Sequence, residues 1–237
     1  MERLIQDQLL PLFRENEVIP AMQSAYRRFH STETALCKIH DDLVVGVSSG
    51  SSFLSVLLDL SAAFDTVDHG ILLDDLHSFG VRGRALSLLD SYLTGRLQHV
   101  SVGSALSDPA ELRFGVPQGS VLGPLLFVAY TSGLASLLEA RNVQYHFYAD
   151  DTQLYVAIDG IPETRAAMED LVSVIKTWMT SRKLKLNAGK TELIVVDGGR
   201  RAIASDLGTL DFVGTEVYQS TDARNLGVIF RSEEHTS

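Results

Sequence analysis

The sequence predicts an α+β domain in which helices pack on one face of an antiparallel sheet. Phe53–Leu60 is a short apolar run that follows Gly and Ser residues, as expected for a buried strand. Two β-rich runs, Tyr145–Tyr148 and Gln153–Ile158, lie on either side of an acidic doublet, which favours a hairpin. Residues 162–182 have strongly amphipathic helical spacing. Strand, helices, hairpin, helix and strand in this order are typical of α+β folds.

Helices are predicted both before and after the first strand. Residues 1–20 alternate apolar pairs with charges and end at Pro20, which indicates a short helix and a turn. Ser31–Thr34 leads into a helical apolar pattern, so a second, N-capped helix is predicted, followed by a Gly- and Ser-rich connector over residues 46–52. Three later segments also have helical spacing: Ile71–Phe79, Arg84–Leu93 and Leu122–Leu138.

The remaining β-rich segments are short. Leu97–Val102 and Leu112–Val116 are predicted to pair as a hairpin. Further strands are predicted at Lys185–Asn187, Glu192–Val196 and Leu226–Phe230.

Composition limits the class of protein. With 237 residues, 45% of them hydrophobic, the chain is long enough for a sizeable core. A net charge of -10 argues against a broadly basic nucleic-acid surface, so such a contact must be local or supplied by further sequence. Cys37 is the only cysteine, which rules out an internal disulfide. With no apolar run of roughly 18 residues and no secretory leader, we expect a soluble, intracellular protein of the cytoplasm or nucleus.

The clearest candidates for functional residues in this sequence are aspartates in apolar surroundings. Asp59 directly follows three apolar residues, and Asp150-Asp151 is flanked by aromatic and aliphatic residues. A carboxylate near a sheet core is costly unless it is paired, protonated or bound to a metal, although Asp59 could instead N-cap the next helix. Two other doublets, Asp41-Asp42 and Asp74-Asp75, have solvent-facing spacing on predicted helices.

Carboxylates at adjacent strand ends suit one kind of chemistry. Two Mg²⁺ ions roughly 3.5 to 4 Å apart can activate one oxygen and stabilise another during phosphoryl transfer. Other common sites are missing from the sequence, which has no phosphate-binding loop with its lysine and no histidines at metal-binding spacing. We expect His69 and His146 to be packing or surface residues, and Trp178 and Met179 to lie in the core.

Six segments of the chain form an ordered series of motifs: Gln23–Leu36, Leu57–Asp65, Phe114–Phe127, Phe147–Asp151, Lys185–Glu192 and Asn225–Ile229. In this order they resemble the fingers and palm motifs of the reverse transcriptases of non-LTR (LINE-type) retrotransposons. The resemblance implies a polymerase palm over residues 53–230, part of the fingers over residues 1–52, and no thumb. Residues 231–237 resemble the translation of a sequencing adapter, so we expect a non-native tail, with an ordinary hydrophilic tail as the alternative.

The resemblance also implies a set of metal ligands. Asp59 and Asp150 would be the main ligands of two Mg²⁺ ions, for which Mn²⁺ could substitute. Asp151 would adjoin them, and the Leu60 carbonyl would offer a neutral oxygen.

Substrate contacts are implied in the same way. Phe64 would lie under the sugar and leave no room for a 2′-hydroxyl, unless it is ordinary core. Gln118 and Gly119 would touch the nucleotide or template, with a plain turn as the alternative. Asp65 would orient its turn or cap a helix.

Basic residues complete the set of implied substrate contacts. One of Arg27 and Arg28 would pair with triphosphate oxygens, since guanidinium suits phosphate, or both are solvated. Lys190 would neutralise or protonate the leaving pyrophosphate, unless it is a surface charge on a Gly turn.

The implied activity is RNA-directed DNA polymerisation. The partners would be an RNA template, a DNA primer and deoxynucleoside triphosphates, with no membrane, and a full-length element would add endonuclease and thumb regions. A catalytically silent remnant that binds RNA or a protein is the main alternative. Another palm-fold nucleotidyl transferase is a third, and Phe64 argues against one that uses ribonucleotides.

Overall fold

The computed structural model describes residues 1–158, 160–196, 208–212 and 214–231. The chain divides into two compact units. The first unit comprises residues 1–20, 62–133 and 182–184, and the second comprises residues 21–61, 134–181 and those from 185 onward. Residues 232–237, most of the segment expected to be a non-native tail, lie outside the described residues.

The helices and strands are labelled in chain order. The helices are α1 Glu2–Glu15, α2 Thr32–Ser48, α3 His69–Ser78, α4 Arg84–Leu93, α5 Gly123–Thr131, α6 Gly133–Glu139 and α7 Ile161–Ser181. The strands are β1 Phe53–Leu58, β2 Arg96–Gln98, β3 Ser101–Val102, β4 Ala105–Leu106, β5 Ala110–Leu112, β6 Gln144–Tyr148, β7 Asp151–Ala157, β8 Glu192–Val196, β9 Thr209–Asp211, β10 Glu216–Tyr218, β11 Asp222–Asn225 and β12 Val228–Arg231.

The second unit is built on a four-stranded antiparallel sheet in the order β6-β7-β1-β8. Side chains alternate between the faces of a strand, so Phe53, Ser55, Leu57 and Asp59 share one face. At its far end, this face packs against Ile39 of α2 and against Phe230 of the β11–β12 hairpin. The residues between them along β1 are Leu54, Val56 and Leu58, which are at most 3% exposed and form part of the core.

Helix α2 is fixed at its start and along its length. Ser31 accepts a hydrogen bond from the Thr34 amide, and Thr34 Oγ1 accepts one from the Ser31 amide, which makes the predicted N-cap a full capping box. Further along, Asp42 accepts a hydrogen bond from the Tyr155 hydroxyl at 2.7 Å and pairs with Lys38. The helix is thereby tied to the sheet as well as packed on it.

The first unit is largely helical. Phe13 of α1 meets Phe79, the residue that ends α3, in an edge-to-face contact with ring centroids 6.2 Å apart. The Arg182 guanidinium donates two hydrogen bonds to the Asp75 carboxylate and one to the Tyr130 carbonyl at 2.8 Å. Both members of this ion pair have side chains only 19% exposed, so the pair is largely desolvated.

Most predicted elements are confirmed, but some have different limits. Helix α2 continues through Ser48, so the predicted connector is shorter than expected. The single helix expected over Leu122–Leu138 is two helices, because α5 ends at Thr131 and α6 begins at Gly133. The hydroxyls of Thr131 and Ser132 bond back to carbonyls of α5 there, a competition typical of Ser and Thr near helix ends.

Strand predictions were less accurate where turns intervene. The hairpin predicted between Leu97–Val102 and Leu112–Val116 is wrong in its limits, because β2 pairs with β5. Residues 114–116, which were expected to belong to this hairpin, bond to residues 64–68 instead. Lys185–Asn187 makes a single bridge, between Leu60 and Leu186, and then enters a 3₁₀ turn. Leu226–Phe230 is a turn followed by β12, since Leu226 and Gly227 have φ of 48° and 88°. The strands β4, β9, β10 and β11 were not predicted.

Within the described part of the chain, no helix is both long enough and apolar enough to span a bilayer.

Candidate active site

Two of the aspartates expected to bind metal lie next to each other at one end of the sheet. The last residue pair between β1 and β7 is Leu58 with Thr152. Asp59 and Asp151 are the next residues beyond this pair, and both line the same cavity. Asp150 is the second of the two residues that connect β6 to β7. The predicted hairpin is therefore confirmed, with Asp150 in its turn and Asp151 as the first residue of β7.

Two of these carboxylates, Asp150 and Asp151, have raised pKa values. Burial raises the pKa of Asp150, and the charge of Asp59 raises it further. Burial also raises the pKa of Asp151, although this residue is more exposed than Asp150. Repulsion from the charges of Asp150 and Asp59 raises it further. Acids that repel one another in a half-buried setting favour a bound cation.

The donors fit a cation that takes few protein ligands. Among the described residues, no group of three or more His, Cys, Asp or Glu side chains is arranged to enclose a metal ion. Mg²⁺ binds through one or two carboxylates and otherwise keeps water or substrate phosphates. Asp59 and Asp151, open to one cavity, are donors of this kind, so an open magnesium site is compatible with the arrangement.

The cavity has a volume of about 420 Å³ and is lined by both acidic and basic side chains. Lys190 reaches it from the 3₁₀ turn Ala188–Lys190. The preceding residue, Asn187, donates its amide to the Asp59 carbonyl at 2.9 Å, which holds this turn beside the end of β1. Lys190 is exposed, as expected for a charge on a Gly turn, yet it shares the cavity with Asp59 and Asp151.

Leu60 lies in the bridge that the chain makes after β1. The two hydrogen bonds of this bridge run from the Ser61 amide to the Lys185 carbonyl and from the Asn187 amide to the Asp59 carbonyl, each at 2.9 Å. They flank Leu60 and use neither its amide nor its carbonyl. The alternative role for Asp59, an N-cap, is not observed, because Ala62 precedes the next 3₁₀ turn and Asp68 caps α3.

The two arginines differ in their surroundings. Arg27 donates to the carbonyls of Ala21 at 2.9 Å and Gln23 at 3.1 Å, so its guanidinium is held by the backbone. Arg28 is exposed and lies over the ring of Phe29, 4.7 Å from its centroid. Of the two, Arg28 is the more open to a ligand.

The first unit holds the loop Gly115–Gly119 against the turn that contains Phe64 and Asp65. Gly115 has a φ of 90°, and a β-carbon on it would lie 3.0 Å from the Asp65 backbone. The Val116 amide donates to the Phe64 carbonyl at 2.9 Å. Close approach of the two backbones is therefore what requires glycine here.

Side chains on this loop and turn are also matched. Gln118 Nε2 donates to Asp65 Oδ1 at 2.8 Å, although both side chains are exposed. Asp65 therefore orients Gln118, and it does not cap a helix. The Phe64 ring is half-buried and stacks on Phe127 with centroids 4.4 Å apart, so one of its faces is used in packing. Gly119 has a φ of 76° and no atom within 4 Å of where a β-carbon would stand.

Two histidines have the structural roles expected of them. His69 bonds through Nε2 to the Gly115 carbonyl at 2.8 Å. His146 bonds to Ser24 Oγ at 2.9 Å and lines the cavity. Burial lowers the pKa of His146, with the charges of Lys38 and His30 acting the same way and that of Asp42 against it. Met179 is buried as predicted, whereas Trp178 is only partly so.

The prediction that the other acidic doublets face solvent is correct for the first residue of each doublet and wrong for the second. Asp41 and Asp74 are exposed, but Asp42 bonds to Tyr155 and Asp75 pairs with Arg182. Spacing along a helix identifies the face of a residue, but it does not show the distant partner that buries it.

Two residues with buried or backbone hydrogen bonds, one in each unit, were not singled out from the sequence. Gln153 is 5% exposed, donates to Ser55 Oγ at 3.0 Å and accepts a hydrogen bond from Asn225, which ties β11 to the sheet. Glu2 accepts hydrogen bonds from the amides of Val121 and Leu122 just before α5. Gln153 shares one face of its strand with the polar residues Asp151 and Tyr155, which is a weak signal for a buried network. Nothing local indicates the role of Glu2.

The chain belongs to the reverse transcriptase (RNA-dependent DNA polymerase) family, whose model matches residues 1–230. This confirms the resemblance to reverse transcriptase domains of non-LTR retrotransposons. Among its relatives in Drosophila melanogaster is the probable RNA-directed DNA polymerase from transposon X-element, 34% identical over 84% of this chain and 22% of the relative. Another is the probable RNA-directed DNA polymerase from transposon BS, 29% identical over 80% of this chain and 21% of the relative. The chain thus spans about a fifth of the length of these relatives.

Solved structures support the fold. Telomerase from Candida albicans, in complex with a fragment of telomeric RNA, covers 97% of this chain with a TM-score of 0.62 and 15% identity, over 39% of its own length. Telomerase from Candida tropicalis, in a similar complex, covers 99% with a TM-score of 0.63 and 14% identity, over 37% of its own length. At these identities the likeness concerns the reverse transcriptase fold alone.

Proposed function

We propose that this chain is the palm and part of the fingers of an RNA-directed DNA polymerase, which adds deoxynucleotides to the 3′-hydroxyl of a primer. The observation that carries the proposal is the proximity of Asp59, Asp150 and Asp151 at one end of the β6-β7-β1-β8 sheet, in a chain of the reverse transcriptase family. The palm corresponds to residues 53–230 and the fingers segment to residues 1–52.

The acids have the role of holding divalent metal and the groups bound to it. Asp59 and Asp150 are the main ligands in this proposal, with Asp151 and the Leu60 carbonyl beside them. Two Mg²⁺ ions, when bound, would supply positive charge to the attacking and leaving oxygens of the displacement. The mutual repulsion of the carboxylates supports this role, because a cation removes it.

The positive charges of Lys190 and Arg28 suit a role at the phosphates of the incoming nucleotide. Transfer of the α-phosphate develops negative charge on the pyrophosphate, which nearby cations stabilise. Lys190 lies on the same cavity as Asp59 and is positioned to donate a proton or a hydrogen bond to that group. Arg28 is the better candidate of its pair, because Arg27 is held by backbone carbonyls.

Nucleotide selection is assigned to the loop and turn of the first unit. Phe64 is held by its stacking on Phe127, so it cannot easily yield to a 2′-hydroxyl. Gln118 is held by Asp65 with its carboxamide exposed, ready to bond a nucleotide or template base. The open surroundings of Gly119 suit close approach of a ligand to the backbone.

A primer-extension assay with an RNA template and Mg²⁺ tests the proposal. The chain is expected to extend the primer with deoxynucleotides, and Asp150→Asn is expected to abolish nearly all extension without unfolding the chain. Asp41→Asn is the matched control, since Asp41 is exposed on α2 and belongs to another doublet. Extension retained by Asp150→Asn would refute the assignment, and binding of metal or RNA without extension would favour a catalytically silent remnant.

A further inference from the structure

Gln23 lies beside the turn that carries Asp150. The backbone of residues 22–24 runs parallel to the edge strand β6, with hydrogen bonds of 2.9 Å from the Ser24 amide to the Phe147 carbonyl and from the Phe147 amide to the Met22 carbonyl. This places Gln23 against the end of β6. Its side chain is almost fully enclosed, with 2% of the residue exposed.

The carboxamide of Gln23 bonds to both backbone polar groups of Ala149. Gln23 Oε1 accepts from the Ala149 amide at 3.1 Å and from the Ala25 amide at 3.0 Å. Gln23 Nε2 donates to the Ala149 carbonyl at 3.4 Å. Of the natural side chains, only an amide offers both a donor and an acceptor in this geometry at this length.

Ala149 needs such support because its backbone is strained. Its φ is 58°, whereas the following Asp150 has no positive φ, which is the pattern of a type II′ turn. That turn normally takes glycine at its first position, and a residue with a β-carbon is held there only at a cost of about 1–3 kcal/mol. Such a conformation persists when surrounding contacts over-determine it.

We propose that Gln23 is a positioning residue that locks the Ala149–Asp150 turn and thereby fixes the direction of the Asp150 carboxylate. The inference rests on the proposed function of Asp150 as a metal ligand. A change in the Ala149 dihedrals swings the residue that follows it, and 1 Å of misplacement at a reacting centre costs about 100-fold in rate. Gln23 acts through the turn and does not itself touch the reacting atoms.

Gln23→Met tests this role, since it keeps the volume of the side chain and removes its hydrogen bonds. Ser24→Ala is the matched control, because Ser24 is also buried in this segment and bonds to His146 without contacting the turn. Three measurements on the whole chain separate the roles: amide hydrogen exchange of Ala149, Mn²⁺ affinity by calorimetry, and kcat for primer extension.

The expected results differ between the two variants. Gln23→Met should speed exchange of the Ala149 amide several-fold, weaken Mn²⁺ binding about 10-fold or more and lower kcat by at least as much, since support of metal ligands has effects of this size. Ser24→Ala should lose stability but keep the exchange rate of Ala149 and the Mn²⁺ affinity of the unaltered chain.

Failure of this inference is distinguishable from failure of the proposed function. If the unaltered chain binds Mn²⁺ and extends primers while Gln23→Met matches Ser24→Ala in all three measurements, the positioning role of Gln23 is refuted alone. If the unaltered chain neither binds Mn²⁺ nor extends primers, the proposed function fails and the catalytic part of the inference with it. Exchange at Ala149 then still decides whether Gln23 locks the turn.

Discussion

Replacing Gly115 by alanine tests how the loop Gly115–Gly119, for which nucleotide binding is proposed, is held. Its φ of 90° is a conformation that side chains disfavour, and the new β-carbon would lie 3.0 Å from the Asp65 carbonyl oxygen and 3.1 Å from that of Phe64. The loop and turn must then separate, which strains the hydrogen bond from the Val116 amide to the Phe64 carbonyl.

Gly119 provides a matched comparison within the same loop. Its φ is also positive, at 76°, but a β-carbon there meets no protein atom within 4 Å. Gly119→Ala therefore carries only the backbone cost, about 1–2 kcal/mol. Gly115→Ala adds a packing conflict of about 1–3 kcal/mol, so we expect a total loss of about 2–5 kcal/mol.

Urea denaturation of both variants and the unaltered chain measures this difference. The unfolding free energy should fall further for Gly115→Ala than for Gly119→Ala, by about 1–3 kcal/mol. Equal losses would refute the reasoning from close approach.

In primer extension, Gly119→Ala should raise the KM for the nucleotide by more than its stability loss explains, because the space beside Gly119 is open for a ligand.

Three further outcomes are expected. Phe64→Val should increase incorporation of ribonucleotides relative to deoxynucleotides, measured as a ratio of kcat/KM values, and an unchanged ratio would leave Phe64 as plain core. Arg182→Ala should lower the unfolding free energy by about 3–5 kcal/mol because it leaves the largely buried Asp75 unpaired, whereas Asp74→Asn should change it by less than about 0.5 kcal/mol. Burial lowers the pKa of His146 in the folded chain, so the stability that neutral His146 contributes is present above about pH 6.5 and is lost as the pH falls through the lowered pKa. Denaturation at several pH values should therefore show that His146→Gln loses less unfolding free energy on acidification than the unaltered chain, and identical losses would contradict this.

The sequence was most informative where a pattern is local or a motif is long. The strand Phe53–Leu58 and the hairpin around Asp150 follow from apolar runs and turn residues within a few positions of each other. Asp59 and Asp151 come together because the antiparallel register continues by one residue past Leu58 and Thr152, a consequence of pairing that the sequence implies once both strands are recognised.

Contacts between distant segments were the part that sequence patterns could not supply. The bond from Gln118 to Asp65 spans 53 residues and those from Gln23 to Ala149 span 126. The helical spacing of Asp75 predicts an exposed side chain, yet it is bonded by Arg182, which lies 107 residues further along the chain. Such pairs depend on the tertiary fold, because neither partner carries a local signal for the other.

Anomalous diffraction from crystals of this chain grown with Mn²⁺ and a deoxynucleoside triphosphate would locate the metal directly. Mn²⁺ peaks are expected within bonding distance of the carboxylates of Asp59 and Asp150 and beside Asp151. Bound nucleotide with Mn²⁺ held elsewhere, and none at these carboxylates, would contradict it.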